Sequence, residues 1–167
     1  MNKEIQKLLA SKKEDHIFKA IDLFQKKGSI KELPLVLDTL NLFNNTPIEN
    51  QIVEAVSNVK VKEAHGVIID AILKSKKEKG NLRAYMQICW QSALNFAPNM
   101  ALFIEIFVES DYITALESFT VIENILLDYT YKTDDKDVFI DTIKDNLKTM
   151  DSDKLILAKE LVLILEA

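Results

Sequence analysis

The sequence predicts an all-helical protein in which antiparallel helix pairs stack side by side into an α-solenoid of about five pairs. Three observations predict it. No segment sustains the two-residue alternation of a half-buried strand. Three glycines and three prolines in 167 residues are sparse punctuation, and most fall between apolar segments of helical period. Finally, one six-residue pattern recurs: three apolar residues, an acid, any residue, an apolar residue. It stands at Leu35–Leu40, Val67–Ile72, Leu102–Phe107 and Val138–Ile143, and its acids Asp38, Asp70, Glu105 and Asp141 lie 32, 35 and 36 residues apart. Each copy is followed by a second apolar helical segment. A period of that length built from helix pairs marks a solenoid, in which each pair buries its face on its neighbours.

The elements follow in order. Helices are expected over 2–11 and 14–27, then 30–43, where Ser29 and Glu32 read as a capping box, the glutamate returning to the cap amide. The next helix, 47–59, opens on a second such box, Thr46 with Glu49, and Pro47 suits a first turn that needs no N–H. Helices over 62–77 and 81–95 are separated by Gly80, as 14–27 and 30–43 are by Gly28, both placed where a helix stops. Pro98 opens 98–109, Asp111 caps 111–128, and 134–149 precedes a last helix, 152–166, capped by Ser152. Short connections make successive helices antiparallel. The repeats are then 2–27, 30–59, 62–95, 98–128 and 134–166, forming a single domain over 1–167.

Composition narrows the class. At 48% hydrophobic residues, a chain this long buries a core without disulfides or metal. One cysteine forms no internal disulfide, the first sixteen residues lack a signal-peptide pattern, and the longest apolar runs, such as Leu161–Leu165, are too short for a bilayer. A cytoplasmic protein without membrane partners is expected. Net charge is −5, but residues 1–99 carry 15 basic and 11 acidic groups while 100–142 carry 2 and 10. That balance argues against a general nucleic-acid binder and for a polar molecule that steers charged partners.

The helix-pair period, with Leu33-Pro34-Leu35 early in one first helix, resembles HEAT-type repeats. Gly66, Ala101 and Asp137 replace that proline in the other copies, so the kink it produces is not expected there. CWQSALNF at 89–96 and ESFTVIENI at 117–125 are similar to stretches of small bacterial HEAT-like proteins. The resemblance implies an α-solenoid and no particular chemistry.

Candidate chemistry is thin. No phosphate loop, zinc-spaced Cys/His cluster, HExxH, GxSxG or dinucleotide fingerprint occurs, so no cofactor, metal or enzymatic activity is expected. The one catalytic pairing to weigh is Cys89 with His65, which reflection through the turn near residue 79 brings within about one helical turn. Against it, Cys89 shares an apolar stripe with Leu82, Tyr85, Met86, Ala93 and Phe96, where a thiol packs as a small hydrophobe. Trp90 lies ~100° off that stripe. It either packs laterally between repeats or stands as an aromatic anchor beside the concave groove that second helices line in HEAT-like solenoids. Gln87 and Gln91 project opposite the stripe, as do Glu117 and Asn124 on a later second helix. Glu123 falls near the inward stripe of 111–128, where a carboxylate needs a partner. The four template acids, one per repeat, form an outer row too widely spaced to share a cation, and the lysine-rich KSKKEKGNLR at 74–83 reads as a solvated loop. The final helix is apolar almost all round, which would allow a homodimer through 152–166.

The reading is a protein-interaction or scaffolding module that contacts an unknown protein partner through Gln87, Trp90, Gln91, Glu117 and Asn124. Its rivals are a nucleic-acid-binding HEAT-like protein and a thiol enzyme using Cys89 and His65.

Overall fold

Apolar periodicity becomes ten α-helices, and no strand, among the residues described by the computed structural model, which are 2–43, 46–128 and 132–166. The chain divides into two compact units, Met1–Leu94 and Asn95–Ala167. The first holds α1 (Lys3–Ala10), α2 (Glu14–Lys27), α3 (Leu33–Thr39), α4 (Thr46–Ser57), α5 (Ala64–Glu78) and α6 (Leu82–Gln91). The second holds α7 (Met100–Glu109), α8 (Tyr112–Leu126), α9 (Lys136–Asn146) and α10 (Ser152–Glu166). No described helix is long and apolar enough to cross a membrane.

Within the first unit α1 packs on α3 and α3 on α5, while α2 packs on α4 and α4 on α6. Each odd helix also packs on the even helix that follows it. In the second unit α7 packs on α8 and α9, and α10 packs on α8 and α9.

The recurring template now has a physical meaning. Its second, third and sixth positions are buried in all four copies: Val36, Leu37 and Leu40; Ile68, Ile69 and Ile72; Phe103, Ile104 and Phe107; Phe139, Ile140 and Ile143. Positions i, i+1 and i+4 share one helical face, so each copy presents the same apolar stripe to its neighbours. The first position is only half-buried in three copies and exposed at Val138, and the acids point outward. In the second unit the stripe is aromatic, with Phe96 set edge-on to Phe103 at 6.2 Å between ring centres.

Several boundaries differ from expectation. The third helix spans only Leu33–Thr39 rather than 30–43. At its start the Glu32 amide bonds to the Ser29 carbonyl, a three-residue turn, and at its end Leu40, Asn41 and Leu42 bond three residues back. The sixth helix stops at Gln91, not 95. Ser92 turns to extended backbone (ψ 150°), and its hydroxyl accepts from the Leu94 amide at 3.1 Å. Ala93 is therefore exposed and off the stripe, and Phe96 belongs to the core of the second unit. The cap of the last helix is Asp151, whose carboxylate accepts from the Lys154 amide at 2.9 Å; Ser152 lies inside the helix. Asp111 caps α8 as expected, accepting from the Thr114 amide at 3.0 Å.

The two capping boxes meet different fates. Glu32 does return to Ser29, accepting from its amide at 2.8 Å and its hydroxyl at 2.7 Å. It also accepts from the Asn2 amide at 2.5 Å, which ties the start of α1 to α3, and it is 1% exposed. Burial raises its pKa, but the bonds from the Ser29 hydroxyl and from the Asn2 and Ser29 amides outweigh that and leave it lowered. Glu49, in contrast, turns away from Thr46. Its buried carboxylate accepts from Asn81 Nδ2 at 2.6 Å and pairs with Arg83, at the start of α6.

Candidate functional site

The residues singled out for contact sit on two helices, one in each unit. α6 is positioned from its first turn. Asn81 caps it, accepting from the Ala84 amide at 3.2 Å, and the Glu49 contacts anchor that turn to α4. Tyr85, fully buried, donates from its hydroxyl to the Leu37 carbonyl of α3 at 3.0 Å. Burial pushes the Tyr85 hydroxyl pKa up, with the Asp38 charge adding to it. Met86, Ile88 and Cys89 complete the buried side.

Gln87, Trp90 and Gln91 stand three and four residues apart and so neighbour one another, the two glutamines opposite the buried side and Trp90 at its flank. Gln87 is half-buried and Gln91 exposed, while Trp90 is 36% exposed. Part of the ring is packed, and a substantial part meets solvent. On α8 Glu117 is half-buried and Asn124 exposed, two turns apart on one face that also carries exposed Leu116. Glu123 is half-buried rather than inward; the polar groups that α8 does bury are Thr114 and Ser118, the latter donating to the Phe103 carbonyl at 2.8 Å.

Cys89 is 3% exposed, and burial pushes its thiol pKa up, so it is protonated and shielded at neutral pH. His65 lies half-buried on α5. Among the described residues no group of three or more His, Cys, Asp or Glu side chains is arranged to hold a metal ion. Of the acidic row, Asp38 pairs with Lys74 of α5 at 2.8 Å, with both partners partly solvated. The hydrogen bond and charge of Asp38 raise the lysine's pKa.

Two features escaped the sequence. The lysine-rich segment 74–83 is not merely a solvated loop. Ser75, buried, donates to Asn41 Oδ1 at 3.2 Å, and the Asn81 amide donates to the same oxygen at 3.1 Å. Lys79 adopts the left-handed conformation (φ 55°) that closes α5, leaving Gly80 to pass against Asn41 and Ser75, where a Cβ would collide with both side chains. The second is Lys154 of α10, only 5% exposed, whose Nζ donates to the carbonyls of Val108 at 2.8 Å and Ser110 at 2.6 Å. It closes the carboxyl end of α7, where the helix dipole favours a cation. The spacing of DKLILAKE gave no sign of this, because a lysine's partner there is set by packing alone. α10 buries Ala158, Leu161, Val162 and Leu165 and leaves Ile156 and Leu163 exposed, so its apolar surround is only partly covered.

Fold and site together define a class of all-helical chain, built from paired helices, with a polar face around one part-exposed tryptophan. Comparison with protein-family models, with curated proteins and with solved structures found no significant match.

Proposed function

We propose that the chain is a protein-interaction or scaffolding module, its helix pairs forming an α-solenoid, and that the α6 face of Gln87, Trp90 and Gln91 contacts a protein partner. The observation that carries this reading is the part-exposed Trp90 flanked at helical spacing by two amides. A large aromatic held rigidly by its helix, with hydrogen-bonding groups beside it, is the residue pattern that dominates binding hot spots. The odd-on-odd and even-on-even packing of helices in each unit supports the solenoid. Glu117 and Asn124 on α8 are the contact candidates of the second unit, taken by itself.

The test is affinity capture from source cells with wild type, Trp90→Ala and Gln91→Arg. Loss of a specific partner in both variants, with unchanged helical content, is expected. An identical set of partners in all three would remove α6 from the function.

A further inference from the structure

The two most exposed large apolar side chains among the described residues stand together on one face of α10. Ile156 is 65% and Leu163 67% exposed. Seven residues apart, they lie one above the other along the helix. The opposite side of α10, with Ala158, Leu161 and Leu165, is buried where the helix packs on α8 and α9.

Two charges border this apolar line. At 100° per residue Lys159 stands about 50° to one side of it and Glu160 about 50° to the other, and both are exposed. Neither has an opposite charge within reach on its own helix. The positions three and four residues away are Leu155, Ile156, Val162 and Leu163 for the lysine, and Ile156, Leu157, Leu163 and Ile164 for the glutamate. Among the described residues neither is ion-paired to another helix, whereas Glu166, farther along α10, is held by Lys144 of α9.

An apolar centre line with one uncompensated charge of each sign on opposite flanks complements a copy of itself. Charge also fixes the direction of pairing. In a parallel two-fold pair opposite flanks meet, so Ile156 and Leu163 each lie against their own copy. Lys159 then stands beside Glu160 of the second copy, and Glu160 beside its Lys159. In an antiparallel pair like flanks meet. That sets lysine against lysine and glutamate against glutamate, which is destabilising.

We propose that the chain forms a parallel two-fold homodimer through α10, in which Ile156 and Leu163 stack on their copies and a Lys159–Glu160 ion pair closes each side. The contact is one helix of 15 residues, about 22 Å long. It belongs at the small end of specific interfaces, so the dimer is weak and fills only at high concentration. Exposed ion pairs add little affinity, but they select the orientation.

The experiment is light scattering of the full chain from about 1 μM to about 1 mM. The expected result is a mass that climbs from one chain towards two over that range. Leu163→Asp, at an exposed position, should hold it at one chain throughout with unchanged helical content. Lys159→Glu should weaken association about tenfold, and adding Glu160→Lys should restore it, since opposite charges meet again. Orientation is read from oxidative cross-linking. Ile156→Cys should form a disulfide with its own copy, because a parallel pair brings the two positions within the ~6 Å that the bond needs. The wild type, whose only cysteine is the buried Cys89, should not cross-link. A single-chain mass at every concentration, association that survives Leu163→Asp, or a charge swap that fails to restore it overturns the proposal. A cross-link that forms only when Ile156→Cys is mixed with Leu163→Cys overturns it too, since that pairing is antiparallel. Trp90→Ala should leave the dimer intact, and a monomeric wild type would leave partner capture through α6 standing, so the two readings fail separately.

Discussion

Replacing Lys154 by Met keeps most of the buried aliphatic stem and removes only the ammonium. In the native chain that ammonium donates to the Val108 and Ser110 carbonyls at 2.8 and 2.6 Å while almost fully withdrawn from water. Charged hydrogen bonds contribute roughly 1.5–3 kcal/mol each, and a buried carbonyl left without a donor costs about 1–3 kcal/mol. Against this stands the dehydration of the ammonium, on the order of several kcal/mol. Burial lowers the Lys154 pKa below its ordinary 10.5, opposed by the charges of Asp151 and Asp111, so the dehydration is not fully offset. The net expectation is that Lys154→Met destabilises the second unit by about 2 kcal/mol, and Lys154→Ala by about 4 because the stem is lost as well. Urea unfolding followed by circular dichroism measures the total. Hydrogen exchange of α7 and α10 peptides localises it, since the lone tryptophan lies in the other unit.

The same site predicts a pH signature. A lysine whose folded pKa is depressed is less protonated when folded than when unfolded, between that pKa and 10.5. The unfolded chain then binds more protons, so wild-type stability rises with pH across that window relative to Lys154→Met. A Met variant equal to or more stable than wild type at neutral pH would show that dehydration outweighs the two bonds and refute the capping role.

Two further outcomes follow from the first unit. Glu49→Ala leaves Arg83 and Asn81 without their buried acceptor and should cost about 3 kcal/mol. Arg83→Ala leaves the buried Glu49 carboxylate with Asn81 alone and should cost at least as much, about 3 kcal/mol; a cost near zero in denaturant titrations would contradict a buried carboxylate that needs both donors. Cys89 should react with a thiol reagent at a rate that follows local opening and speeds sharply in denaturant. Rapid labelling of the folded chain would reopen the thiol reading.

How much of this was legible before folding depends on the range of each signal. Helix number came from apolar period, and the buried positions of the template came from its spacing, because both are properties of one helix considered alone. Asp111 was readable for the same reason: its acceptor role needs only the amide three residues on. Helix ends were less so, since Ser92 turns extended and Glu49 abandons its own cap for groups more than thirty residues away.

Residue types and their spacing along the chain thus determined an all-helical protein, four copies of one apolar stripe, and the placing of Gln87 and Gln91 opposite the Cys89 stripe with Trp90 at its flank. Tertiary structure alone decided that Trp90 keeps over a third of its surface in solvent, that Lys154 closes α7, and that Asn41 gathers Ser75 and the Asn81 amide between distant helices. Period and spacing record which way a side chain leaves its own helix. What it meets there is set by helices distant in sequence, and no local pattern carries that information.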